Sequence, residues 1–190
     1  MKDEDLILNL IRNDDRRMNV LRAVRSLGLN DWLIGAGFVR NIVWDHLHNY
    51  TEQTPPTDID VAYFDSAITD KEQEFRYEEQ MKEIIDADWD ITNQARIGKI
   101  NNQGRDYVSS EDAISHWPET ATAVGVRLNA DNELELVSPH GIDDLMSLKV
   151  IMTPDFGSGR DYFLKRFEKK GWLEKWPKLI LIKIKKQCNK

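Results

Sequence analysis

The chain has little cysteine, no long apolar run and nothing resembling a linker. Of its 190 residues only Cys188 is a cysteine. One thiol cannot close a disulfide within the chain or build a thiolate metal site, so a reduced, cytoplasmic setting with no disulfide partner is expected. No stretch approaches the ~18–20 apolar residues that span a bilayer, which excludes a membrane-spanning helix from the expectation. The opening residues Met1-Lys2-Asp3-Glu4-Asp5 are too acidic for a signal or transit peptide. Internal repeats and low-complexity segments are missing too. A chain of this length is long enough for one substantial core and short for two, so residues 1–190 are read as one domain.

What is present is a folding composition with an uneven charge. Hydrophobic residues make up 41% and there are six Trp. The net charge of −7 does not fit a general nucleic-acid binder. From Arg160 onward the chain carries 11 Lys/Arg against 3 Asp/Glu, while the first 159 residues hold 15 against 30. Such a basic C-terminal helix and tail (160–190) either contacts nucleic acid or packs on an acidic body.

Periodicity predicts helices over 4–13 and 14–27, a strand at Trp32–Ile34, and a helix over 37–48 with Val39, Ile42, Val43 and Leu47 on its core face. A Pro55-Pro56 loop leads to a strand over 58–64, read as a parallel neighbour of the first through a right-handed crossover. An exposed charged helix follows over 70–86, then a strand over 88–97 and a long loop over 98–110 with Asn101-Asn102-Gln103-Gly104 at its centre. Ser109 or Ser110 caps a short helix reaching Ser115. Residues 120–128 and 133–137 read as a hairpin around Asn129-Ala130-Asp131-Asn132. A helical turn at 142–145, a strand at 148–152, a turn at Gly157-Ser158-Gly159 and a helix over 160–169 complete the order. The fold class is α/β (α+β): a mixed sheet with helices packed on it, preceded by N-terminal helices, with the core at about 30–155.

The chemistry concentrates between Trp32 and Phe64. A short strand runs into Gly35-Ala36-Gly37, a helix begins, and the next strand carries Asp58 and Asp60. Side chains two apart on a strand share a face, so the two carboxylates stand together while Ile59 and Val61 face the core. Paired carboxylates repel, and a divalent cation relieves the repulsion. Glycines before a helix let backbone N–H groups approach a phosphate. These are the parts that hold a metal–nucleoside triphosphate; the competing reading is a turn whose aspartates are merely solvated.

Gly35-Ala36-Gly37-Phe38-Val39-Arg40-Asn41 followed by Asp58-Ile59-Asp60 resembles the head domain of CCA-adding enzymes and poly(A) polymerases, within the nucleotidyltransferase superfamily of DNA polymerase beta-like fold. The usual pattern there is Gly-Gly-x-Val-Arg-Asp and then Asp-x-Asp. Ala36 stands where that pattern has a second glycine or a serine, and Asn41 where it has aspartate. Trp89–Arg96 and Glu111–Thr120 resemble a narrower group of small bacterial stand-alone nucleotidyltransferases, over about residues 30 to 180.

The resemblance implies a two-metal Mg²⁺ site with Asp58 and Asp60 as ligands and an NTP as substrate. It also implies a third acid on the next strand, for which Asp90 is the choice, with Asp88 and Glu135 behind it. If that strand continues, Gln94 and Arg96 share the face of Asp90 and contact base, ribose or phosphate. Gly35, Ala36, Gly37 and Arg40 complete the nucleotide-binding set, with pairing to Asp45 as the structural alternative for Arg40. The four histidines are read as ordinary polar residues, Trp172 and Trp176 as packing. Asp155-Phe156-Gly157 lacks the company a kinase motif needs. The expected activity is transfer of a nucleoside monophosphate to a hydroxyl on a small molecule, a protein or an RNA end. A complete CCA-adding enzyme is not expected, because no counterpart of its helical neck, body and tail is present. The alternatives are a nucleotide-binding module without turnover and an RNA- or protein-interaction domain using the basic segment.

Overall fold

The computed structural model describes residues 2–100, 106–154, 156 and 159–183. Helices α1 (Lys2–Arg12) and α2 (Asp15–Ser26) open it, with Asp14 capping α2 by accepting from the amides of Arg16 and Arg17. Ile7, Ile11, Val20, Leu21 and Val24 are buried, so each of the two helices turns an apolar stripe to the core. Strand β1 (Leu33–Gly35) leads into α3 (Gly37–His48), followed by β2 (Ile59–Tyr63), α4 (Lys71–Ile84) and β3 (Trp89–Asn93). Then come α5 (Gln94–Ile100), α6 (Ser110–Ile114), the hairpin β4 (Gly125–Leu128) and β5 (Leu134–Val137), and α7 (Asp143–Met146). Strand β6 (Lys149–Ile151), α8 (Gly159–Lys170), α9 (Trp172–Lys175) and β7 (Ile180–Ile182) close the order. The mixed sheet with helices packed on it is as read from the sequence. The Asn101–Gly104 loop, the Gly157-Ser158 turn and Cys188 lie outside the described residues. No helix among the described residues is long and apolar enough to cross a membrane.

The main sheet has the order β3-β2-β1-β4-β5. Strands β2 and β3 pair parallel, whereas β1 and β2 pair antiparallel, with Leu33 opposite Ala62 and Ile34 opposite Val61. The expected parallel crossover is therefore corrected. The reason is the loop after α3: the ten residues from Asn49 to Asp58 reach ~30 Å when extended, against ~18 Å for a twelve-residue helix. That loop retraces the helix and is pinned to it. Thr54 donates its N–H and hydroxyl to the Asp45 carboxylate at 2.6 and 2.8 Å, and the Asn41 amide reaches the Thr54 carbonyl at 3.3 Å. Strand β2 thus begins beside the glycine turn. A parallel crossover would have left Asp58 and Asp60 at the opposite end of the sheet.

Alternation along the strands separates two faces. Ile34, Ile59, Val61, Trp89 and Ile91 pack into the main core beneath α1–α3. Leu33 and Ala62 face a smaller cluster with Ile114 and Val137, against which Trp117 packs. Asp58, Asp60 and Asp90 share the parity of Ala62, so they stand away from the helical layer.

Three further expectations are corrected. Strand β3 stops at Asn93, and residues 94–100 are helical, so Gln94 and Arg96 do not share a strand face with Asp90. The Asn93 side chain ends the strand by accepting from the amides of Asp65 and Ala95 and donating to the carbonyls of Asp65 and Ile68. The alternating Thr120–Val124 stretch is a buried turn, the amides of Thr122 and Ala123 both donating to the Glu119 carbonyl at 2.9 Å. Helix α4 is charged but not wholly solvated: Glu74 is buried, accepting from the Asn93 amide and from Arg96. The tail also forms β7, which pairs parallel with β6.

Candidate active site

A cavity of about 510 Å³ opens where the start of α3, the start of β2 and the start of β3 meet. Ala36, Gly37, Arg40, Asp58, Asp60, Asp90 and Gln94 all line it. Two expected site residues lie elsewhere. Gly35 is packed under Trp117, where an added Cβ would meet ring carbons at 2.7 Å; its missing side chain serves that close approach. Arg96 turns to Glu74, with bonds of 2.8 and 2.5 Å, and ties α5 to α4. Of the fallback acids, Glu135 is held by Arg127 at 2.7 Å on the far strand.

The carboxylates face one another through register. Asp60 and Asp90 are direct partners across the parallel β2–β3 pair, and Asp58, just before β2 begins, lines the same cavity. Asp60 is the most burdened of the three. Burial, then the charges of Asp58 and Asp90, push its pKa up to about 7, against the opposing pull of Arg40 and Lys170. Asp58 accepts from the Thr57 hydroxyl at 2.8 Å, and Asp90, which is exposed, from the Thr92 hydroxyl at 2.6 Å. Among the described residues no group of three or more His, Cys, Asp or Glu is drawn together as a ready ion cage. The donor set still suits a hard cation, because Mg²⁺ is usually held by one or two carboxylates with water and substrate phosphate supplying the rest.

Arg40 is the buried cation of the site. Its guanidinium lies 4.5 Å from the Trp172 ring centroid and 5.1 Å from that of Trp44. It donates to the Thr122 hydroxyl at 2.9 Å and to the Asn41 side chain at 3.1 Å. Burial lowers its pKa to about 10, and Glu119 first and Asp60 next work against that fall, so it stays charged at neutral pH. The alternative partner, Asp45, instead holds Thr54 and the indole N–H of Trp176 at 2.7 Å. Trp172 and Trp176 are buried against Trp44, and both also border the cavity.

Ala36 caps α3 with φ 51° and ψ −121°, a backbone that glycine adopts freely and alanine does not. This is the position where the resembled pattern has glycine or serine. The open end of α3 faces the cavity with no acidic residue in its first turn and no side-chain cap, so its N–H groups and dipole favour an anion there.

Sequence reasoning missed Arg166 and Lys170, which α8 brings to the cavity wall, and Thr122, which orients Arg40. The signal available was the excess of positive charge after Arg160. Three of the four histidines keep ordinary polar roles: His48 bonds to the Trp44 carbonyl and accepts from the Lys178 amide, His116 bonds to the Asp112 carbonyl one turn back, and His140 reaches across to the Ser115 carbonyl at 2.7 Å.

A sequence pattern described as nucleotidyltransferase matches residues 22–181. An NMR structure described as a CCA-adding enzyme head domain is 35% identical, with a TM-score of 0.82 over 94% of this chain and 95% of that one. A CCA-adding enzyme in complex with CTP is 15% identical, TM-score 0.49, over 90% of this chain and 47% of its own length. An apo tRNA-processing enzyme is 14% identical, TM-score 0.49, over 86% of this chain and 45% of its own length. No curated protein matches the chain. With the family pattern covering most of its length and a closely superposable head domain at 35% identity, this chain belongs to the nucleotidyltransferase family.

Proposed function

We propose that the cavity transfers a nucleoside monophosphate from an NTP to an acceptor hydroxyl, with Mg²⁺ held by Asp58, Asp60 and Asp90. The observation that carries this reading is the antiparallel β1–β2 pairing, which sets the carboxylates beside the open end of α3. Anion-binding and cation-binding groups then face each other across one cavity. When bound, the metal ions neutralise phosphate charge and lower the pKa of the attacking hydroxyl.

The protein's own groups do the rest. Gly37 and the first turn of α3 receive the triphosphate, and Arg40 adds positive charge from below. Gln94, at the head of α5, is the side chain for a base or ribose contact. The acceptor oxygen attacks the α-phosphorus, the bond to the bridging oxygen breaks, and pyrophosphate leaves. Asp90, exposed and on the open side, takes the hydroxyl proton. Positioning and charge neutralisation supply the acceleration. The acceptor class is a small molecule, a protein side chain or an RNA end.

Pyrophosphate release from each NTP, assayed with RNA ends, sugars and protein hydroxyls, tests the proposal. Release that depends on Mg²⁺ and vanishes in Asp58→Asn is the expected outcome; release unaffected by that change contradicts it. The strained Ala36, which has no hydroxyl to offer phosphate, favours a second reading: nucleotide binding without turnover. Saturable NTP binding with no release from any acceptor class is its signature.

A further inference from the structure

Glu119 is the most buried acid of the described chain, with none of its surface exposed. One carboxylate oxygen accepts from Arg166 Nε at 2.9 Å, and the other has no hydrogen-bond partner. A buried carboxylate is costly unless nearby cations stabilise it. Here they do, because Glu119 is also the largest charge acting on Arg40, whose own Nε is unpartnered. Two arginines thus flank one acid, and positive charge is left over beside the cavity.

Arg166 and Lys170 lie four residues apart on α8, so they share a face next to the buried Phe163 and Phe167. Both border the cavity that holds Asp58 and Asp60. The bond to Glu119 uses one of five guanidinium donors and fixes the plane of the group, which leaves the terminal nitrogens for a ligand. Arg166, Asp58, Arg40 and Asp60 all act on the Lys170 ammonium, which places it among both sets of charges. The family pattern's anion-binding groups sit on α3; this second set comes from α8, on another wall.

We propose that Arg166 and Lys170 hold the terminal phosphates of the nucleoside triphosphate, and that Glu119, touching no ligand, is the positioning residue that aims Arg166. This rests on the nucleotidyltransferase reading of the cavity. A triphosphate spans both walls: its α-phosphate lies by the carboxylates and α3, and its leaving pyrophosphate by α8. Charge on the leaving group grows as the bridging bond breaks, so cations there stabilise the transition state as well as the bound substrate.

Calorimetric titration of the full chain with inorganic tripolyphosphate, which needs no acceptor and no turnover, tests this. Arg166→Met and Lys170→Met are each expected to weaken tripolyphosphate at least tenfold while leaving a nucleoside monophosphate unchanged. Glu119→Gln is expected to weaken it about threefold, with Arg166→Lys restoring part of the loss seen in Arg166→Met. Lys165→Met, on the exposed face of the same helix, is expected to change nothing. Should Arg166→Met fail to fold, the exposed Lys170→Met and Lys165→Met decide the matter alone. Unchanged binding in both Arg166→Met and Lys170→Met, or an equal loss in Lys165→Met, overturns the inference and leaves the transferase reading intact. Wild-type protein that binds neither tripolyphosphate nor NTP overturns both.

Discussion

Replacing Asp60 with Asn is expected to abolish nucleotide transfer and at the same time to stabilise the metal-free protein at pH 8. Asp60 keeps its proton in the folded state up to about pH 7, against a reference value of 3.8. Between those values the native state binds more protons than the unfolded chain, so stability falls as pH rises. The penalty is absent below about pH 3.8 and complete once pH passes about 7. Asn keeps the shape and removes the charge. We expect a gain on the order of 2 kcal/mol at pH 8, or ~4–8 °C in Tm for a chain of this size, and a smaller gain at pH 5. Transfer should drop at least ~10³-fold, equivalent to about 4 kcal/mol of transition-state stabilisation. Millimolar Mg²⁺ should raise the wild-type Tm and leave that of the variant unmoved, since binding to the native state alone stabilises it. Melting curves at pH 5 and 8, with and without Mg²⁺, check this; a gain that does not depend on pH contradicts it.

Arg40→Ala is expected to cost about 3 kcal/mol of stability and most of the nucleotide affinity. The side chain is sandwiched by Trp44 and Trp172 and bonded to Thr122 and Asn41. Desolvated cation–π contact contributes ~2 kcal/mol, and Glu119 loses one of its two neutralising cations. Arg40→Lys keeps the charge but loses the planar stack and the forked donors, so only part of the loss should return. Urea unfolding checks this: a cost below ~1 kcal/mol for Arg40→Ala would mean that the sandwich is incidental.

The helices and the Asp-x-Asp strand were legible because their signals are local. Valines and isoleucines at helical spacing mark α3, and Asp58 and Asp60, two apart where β2 begins, mark one side of the cavity. What was not legible depends on distant partners. The Asn49–Asp58 loop reads as a plain connection, yet Asp45 and Asn41 clasp it to α3 and so reverse the direction of β2. Gln94-Ala95-Arg96 continues a strand by alternation, but Asn93 ends that strand through bonds to a loop about 25 residues away in sequence. Thr120–Val124 alternates as a strand would, while its backbone wraps a buried Glu119. Arg166 and Lys170 looked like one basic surface among many lysines. Only the packing of Phe163 and Phe167 decides which of those cations reach the cavity.

Titration of ¹⁵N-labelled protein with ATP, CTP, GTP and UTP, each with and without Mg²⁺, decides whether the cavity binds a metal–nucleoside triphosphate. Mg²⁺-dependent shifts are expected at Gly37, Arg40, Asp58, Asp60 and Asp90, extending to Arg166 and Lys170 and differing between bases at Gln94. Amide signals unmoved at millimolar nucleotide and Mg²⁺, in a protein that remains folded, would contradict it.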